Sequence, residues 1–144
     1  MKDNVIKELN NFLEGNFMAI HAYENYIQHI NNTEVKQILQ KIQQDHKQHA
    51  SIIAERIQNL DGIPVNNVGI KGTIAKFANS LKGSTKEPIS ILKDALVGEE
   101  RGIQMSKELV KGDLDHESLT LVKEILRHDQ KHVELLNHLI RQMS

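Results

Sequence analysis

Two pairs of potential metal ligands occur at the same spacing in different parts of the sequence. His46 and His49 are three residues apart, and so are Asp129 and His132. On an α-helix, residues i and i+3 lie on adjacent turns of one face, so each pair can present two ligand atoms to one ion. Because the chain contains no cysteine, any metal must be held by imidazole and carboxylate groups.

The length and composition of the chain indicate its number of domains, its partners and its cellular compartment. The 144 residues suit one domain, 1–144. The 18 basic residues are balanced by 19 acidic ones without a basic block, so we expect no nucleic-acid partner. No stretch has the length of a membrane span, and the first residues lack the apolar core of a signal peptide. These features, with the lack of cysteine, predict a cytoplasmic protein that does not associate with membranes.

The pattern of apolar residues indicates four long helices. Apolar positions recur every three or four residues in two long arms that contain no proline, which is typical of amphipathic helices. The predicted helices cover residues 3–30, 33–60, 87–111 and 116–142. Pro64 and Pro88 lie in or next to a predicted crossover, 61–87, with a short helical piece from Thr73 to Leu81. The predicted class is all-α, an antiparallel four-helix bundle with one long crossover between the second and third helices.

The two arms also resemble each other. An offset of 83 residues aligns Gly15 with Gly98 and His49 with His132, among other identities. The repeat therefore predicts two similar helical hairpins.

Polar residues interrupt the apolar face of each predicted helix at a similar height. Burying such residues costs several kcal/mol unless they pair, become neutral or bind a cation. We therefore predict a core metal site with five principal ligands: His46, His49, Glu99, Asp129 and His132.

Four further residues are weaker candidates for the site. Asn16 interrupts the apolar face of the first helix, and a different rotation of that helix would bring Glu14 inward. Asp45 and His128 flank the ligand pairs and either join them or orient a ligand imidazole. The alternative is a hydrogen-bonded polar network without a metal.

The first helix carries a resemblance to a known family. From Leu9 to Tyr23 it fits the pattern L-N-x-x-L-x-x-E-x-x-A-I-x-x-Y, except that Asn16 replaces the ligand Glu. This pattern is similar to that of the ferritin-like di-iron carboxylate superfamily, above all its bacterioferritin and rubrerythrin branches.

The other ligand positions resemble that superfamily in part. His46 replaces the Glu of its second-helix Glu-x-x-His motif, and Asp129 replaces the corresponding Glu of the fourth helix. Glu99, followed by Gly102, resembles the third-helix ligand segment. Lys47 occupies the position at which bacterioferritins carry the haem Met, so the resemblance implies no haem.

The resemblance implies binding of iron and its oxidation by O2 or peroxide, in iron homeostasis or oxidative-stress defence. The predicted site has fewer carboxylate ligands than the sites of that superfamily, so we expect it to bind one or two ions. Zn, Mn, Ni and Cu are alternatives to iron. Whether the protein is a ferroxidase or peroxidase type of oxidoreductase stays open, and no catalytic residue is assigned. Without the fifth helix of large iron-storage shells, we expect a homodimer or small homo-oligomer. The competing hypothesis is a degenerate bundle with a structural or partner-binding role and no active metal site.

Overall fold

The computed structural model describes residues 2–66 and 87–144, which form four α-helices. They are α1 (Lys2–His29), α2 (Thr33–Asn59), α3 (Pro88–Lys111) and α4 (His116–Met143). Most of the predicted crossover, including the helical piece from Thr73 to Leu81, lies outside the described residues. None of the four helices in the described part of the chain combines the length and apolar character needed to cross a membrane.

Side-chain caps fix where α2 and α4 begin. The Asn32 side chain accepts a hydrogen bond of 3.0 Å from the Val35 backbone N–H at the start of α2. Asp115 does the same for the Ser118 N–H, at 3.2 Å, at the start of α4. Each cap satisfies a backbone donor that has no partner within the helix. The two caps fix the points at which each hairpin turns back.

The end of α2 depends on a close approach of backbone to side chains. Asp61 adopts the left-handed conformation, with φ of 65°, and the Gly62 N–H donates to the Ile57 carbonyl at 2.8 Å. A Cβ on Gly62 would lie 2.8 Å from an Ile6 methyl carbon and 2.9 Å from one of Ile57. Only glycine fits here, which lets α2 end tightly against α1.

The helices form two antiparallel hairpins that pack side by side. In the first hairpin α1 packs on α2, and in the second α3 packs on α4; between the hairpins α1 contacts α3 and α2 contacts α4. The Arg56 side chain crosses from α2 to α4, where its Nη2 lies 2.7 Å from Asp115 Oδ2 and its Nε donates to Ser118 Oγ at 3.0 Å. It also pairs with Glu117. These bonds hold α2 and α4 at a fixed relative height.

Two separate apolar clusters make up the core of the bundle. One includes Leu39, Leu92 and Leu136, and the other includes Leu9, Ile53 and Val122. A layer of buried polar side chains lies between the two clusters along the helices, and it includes Asn16, His46, His49, Glu99, Asp129 and His132. The bundle therefore buries at least six polar groups at mid-height, where an ordinary core would be apolar.

Candidate metal centre

Four side chains from three helices converge in the polar layer. His46 comes from α2, Glu99 from α3, and Asp129 and His132 from α4. Each offers one ligand-type atom, and these four atoms lie within 4.8 Å of one another. The four residues are only 3 to 5% exposed. An imidazole and carboxylate set of this size fits one divalent transition-metal ion.

Glu99 is the centre of the hydrogen-bond network. Its Oε2 accepts from the Tyr23 hydroxyl at 2.8 Å and lies 2.7 Å from His46 Nε2. Its Oε1 lies 2.8 Å from His132 Nδ1. Burial by itself raises the pKa of Glu99, but the hydrogen bonds from His132 and His46 lower it to about 2. Glu99 is therefore an ionised carboxylate inside the bundle.

His132 uses both ring nitrogens in this network. Its Nδ1 faces Glu99, and its Nε2 lies 2.8 Å from Asp45 Oδ2 at the edge of the layer. Burial lowers the pKa of His132, but Asp129, Glu99 and Asp45 outweigh it and raise the pKa to about 10. In this arrangement both nitrogens carry protons and His132 is an imidazolium ion.

Asp129 is the least satisfied member of the four. Its Oδ1 lies 3.5 Å from His132 Nδ1, which is too far for a good hydrogen bond. This atom is buried and has no hydrogen-bond partner among the described residues. Burial raises the pKa of Asp129 above its usual value, the neighbouring His132 opposes this shift, and the Glu99 charge adds to it. Because Oδ1 has only this longer contact with the His132 ring, a cation beside it would lower the free energy.

His49 lies beside the four-residue set and not within it. Its ring centroid is 6.0 Å from that of His46 and 5.3 Å from that of His128. Its buried Nδ1 has no partner in the part of the chain that the structure describes. Burial, and then the neighbouring His46 and His128, lower the pKa of His49 to about 4. His49 is thus a neutral imidazole with one unused nitrogen.

Most of the chain matches one known protein family. Residues 4–112 match the family described as "Domain of unknown function (DUF2383)". The chain belongs to this family. No curated protein is significantly similar to the DUF2383 chain in sequence.

Solved structures share the fold of this DUF2383 chain. A dodecameric thioferritin, the bacterioferritin-related protein from Bacteroides fragilis, is similar with a TM-score of 0.84 and 19% identity, over 99% of this chain and 88% of that one. A two-domain protein from Anabaena variabilis, with DJ-1/ThiJ/PfpI-like and ferritin-like domains, is similar with a TM-score of 0.82 and 20% identity. That match covers 100% of this chain and 41% of the other. The predicted ferritin-like four-helix fold is confirmed.

The remaining predicted site residues of the DUF2383 chain lie around the four. Asp45 contacts the cluster through His132. Asn16 is buried in the layer, but its amide donates to the Phe12 carbonyl at 3.1 Å. His128 is more exposed than the four convergent residues, and its Nε2 lies 3.3 Å from Oε1 of Glu124 on the same helix.

The site prediction for α1 differs from the structure at two side chains, Glu14 and Tyr23. Glu14 is half-buried and is not one of the four convergent residues. Tyr23, which is not among the predicted site residues, donates its hydroxyl proton to Glu99. Its position seven residues after Asn16, two helical turns along the same face, is the signal that could have assigned it to the layer.

Proposed function

We propose that this protein binds a divalent transition-metal ion between the two hairpins, with His46, Glu99, Asp129 and His132 as ligands. The convergence of their four ligand atoms within 4.8 Å, in a buried layer, carries the proposal. The Asp129 oxygen without a partner supports it, because a cation would satisfy that atom. His49, whose Nδ1 has no hydrogen-bond partner among the described residues, lies beside His46 and is the candidate for a fifth ligand or for a ligand of a second ion.

Iron is the metal we propose, because the fold is ferritin-like and the similar Bacteroides protein is described as a thioferritin related to bacterioferritin. The site has two carboxylates and two imidazoles, which favours one ion or a histidine-rich pair; Zn, Mn, Ni and Cu also suit this ligand set. Bound Fe(II) would supply electrons for the reduction of O2 or peroxide. The proposed role is therefore iron handling or defence against oxidants, in the cytoplasm.

Two neighbouring residues would position the ligands. Asp45 holds His132 through Nε2, which leaves Nδ1 directed at the centre of the cluster. Tyr23 holds Glu99 through Oε2. Hydrogen bonds of this kind fix the orientation of a ligand group before an ion arrives. To act as ligands, His46 and His132 would have to exchange their hydrogen bonds with Glu99 for bonds to the ion.

The same hydrogen bonds favour a second candidate. Because both oxygens of Glu99 have partners, the layer can also exist as a metal-free network. On this alternative the bundle serves a structural or partner-binding role, and the charged layer specifies how the hairpins pair.

Metal content distinguishes the two candidates. We expect protein purified without chelator to contain iron or another transition metal, and the chelator-treated protein to take up Fe(II) under anaerobic conditions. Zn(II) and Mn(II), titrated in parallel, would rank the metals. Less than about 0.1 equivalent of any transition metal together with no uptake would contradict metal binding, because a closed site of this kind holds its ion tightly.

Variants test the ligand assignment. We expect His132→Ala and Asp129→Asn each to lower metal affinity by at least about tenfold, with helical circular dichroism nearly unchanged. The matched control is His138→Ala, which removes an exposed imidazole from the same helix and should leave affinity unchanged. Normal binding by both cluster variants would show that these residues are not ligands.

We also propose that the protein forms a homo-oligomer. The similar Bacteroides protein is a dodecamer, whereas the sequence favours a dimer or small assembly. Light scattering coupled to size-exclusion chromatography would give the number of subunits, and a monomer at all concentrations would contradict the proposal.

A further inference from the structure

A cleft opens between α1 and α3 and leads from the surface to the polar layer. Its volume is about 690 Å³, within the range of about 300–1,000 Å³ that small-molecule sites occupy. Glu99 and Asp129 line its inner end, and Met18, Val97 and Met105 line its mouth with partly exposed side chains. The cleft therefore joins solvent to nearly fully buried carboxylates.

Three glycines line the cleft. Among the residues that the structure describes, a Cβ on Gly98 would meet no atom within 4 Å, and one on Gly15 would meet only the Met105 side chain, at 3.6 Å from its sulfur. A Cβ on Gly102 would lie 3.8 Å from Asp129 Oδ2. Glycine in a helix interior costs about 1 kcal/mol relative to alanine. Because no described neighbour lies close to the Cβ position of Gly98, packing does not require glycine there, and a larger side chain at this position has room within the cleft.

The inner end of the cleft contains an acceptor without a donor. Both oxygens of Glu99 accept hydrogen bonds from neighbouring side chains. Asp129, which also lines the cleft, instead has a buried Oδ1 with no hydrogen-bond partner among the described residues, and its Oδ2 lies next to Gly102 of α3. A ligand that reaches this end can satisfy Asp129 by donating a hydrogen bond.

The walls of the cleft are mostly apolar and aromatic. Phe12, Ala19, Ala22 and Tyr26 are among its lining residues, and the exposed Asp94 and Arg101 are its charged ones outside the polar layer. At the inner end an anionic ligand would bring its charge next to Glu99 and Asp129, and an ammonium group would lose its water shell against the apolar walls. The inner end lies inside the bundle, where the flat face of a partner helix cannot reach. The occupant that fits is a small molecule.

We propose that this cleft binds an uncharged, mainly apolar small molecule whose hydroxyl group donates a hydrogen bond to Asp129. Phenols and fused-ring alcohols have this chemistry. The inference goes beyond metal binding and stands without it, so it is tested on protein treated with chelator.

The probe is 2-naphthol, whose binding can be followed by its own fluorescence because the chain contains no tryptophan, and by equilibrium dialysis. We expect one saturable site per chain. We expect 2-methoxynaphthalene, which has a similar shape but no donor, and the anion 2-naphthoate each to bind at least about tenfold more weakly. Equal binding of either compound would overturn the assigned ligand class, and no binding of 2-naphthol would overturn the site.

A filling substitution locates the site. Gly98→Leu projects a side chain into the open cleft and replaces glycine with a better helix former, so the protein should fold. We expect it to lower 2-naphthol affinity by at least about tenfold, and Gly98→Ala to lower it less. Gln104→Leu adds the same side chain to an exposed position of α3 and should have no effect.

Two results with these variants would contradict the inference. Unchanged binding by Gly98→Leu would place the probe elsewhere. The other result has two parts: the wild-type chain is an oligomer that binds no 2-naphthol, and Gly98→Leu dissociates that oligomer. In that case the cleft is an interface between subunits.

Discussion

The Nδ1 atom of His132 lies 2.8 Å from Oε1 of Glu99, and the two side chains are only 6% and 2% exposed. This contact joins α4 to α3 in the middle of the bundle. Charges so far from water interact strongly, and each keeps the other ionised. The pair therefore makes the folding stability of the metal-free protein depend on pH.

We expect the metal-free protein to lose stability as the pH rises from about 7 to 10. Because the pKa of His132 is raised from 6.5 to about 10, its stabilising effect is complete below pH 6.5 and is lost as the pH rises through about 10. Urea denaturation across this range measures the loss. In His132→Gln the trend should be weaker, and an equal slope in both proteins would contradict an imidazolium at this position.

His49 should act at the opposite end of the pH scale. Its pKa is lowered from 6.5 to about 4, chiefly by burial, so its contribution is complete above pH 6.5 and is lost as the pH falls towards 4. NMR titration of the imidazole protons should show His49 neutral at pH 5. The exposed His138 is the internal reference, and a His49 midpoint near 6.5 would show that the ring is not desolvated.

Tyr23→Phe should destabilise the metal-free protein by about 1–3 kcal/mol, because Glu99 would lose a buried hydrogen-bond donor. The ring and its packing are retained, so the loss reports on the hydroxyl. Tyr26→Phe is the matched control, since Tyr26 is also buried and packs edge-on against Tyr23. Urea denaturation of both variants measures the loss in the free energy of unfolding. Equal losses would mean that the hydrogen bond from Tyr23 to Glu99 does not stabilise the fold.

Arg56→Ala should cost about 1–3 kcal/mol, because Arg56 joins α2 to α4 through several hydrogen bonds and its side chain is only 14% exposed. Arg127 pairs with Glu124 on the surface of one helix and is 61% exposed, so Arg127→Ala should change stability by less than about 0.5 kcal/mol. Thermal or urea denaturation separates the two. Similar effects would show that Arg56 behaves as a surface ion pair.

The internal repeat explains why the polar layer is asymmetric. At an offset of 83 residues, Asn16 corresponds to Glu99 and His46 to Asp129. The second hairpin thus provides both convergent carboxylates, whereas the first provides an amide and imidazoles at the same positions. Asp45, the nearest carboxylate of the first hairpin, contacts His132 from the edge of the layer.

Local sequence patterns determined the fold class and the composition of the layer. An amphipathic repeat states which residues face inward on a helix, so it predicts four helices and the polar interruptions at Asn16, His46, Glu99 and Asp129. It does not state how far each helix is rotated or shifted against its neighbours. Those quantities depend on contacts between distant residues, such as Arg56 with Asp115.

Only the tertiary structure decided which polar groups meet. It brings His46, Glu99, Asp129 and His132 together, because the rotation of each helix directs their side chains to one point. The same rotations set His49 against His128, whereas Asn16 bonds to the Phe12 carbonyl of its own helix. They also bring Gly15 to the side that faces α3 and open the cleft, a property of two packed helices that neither helix pattern contains by itself.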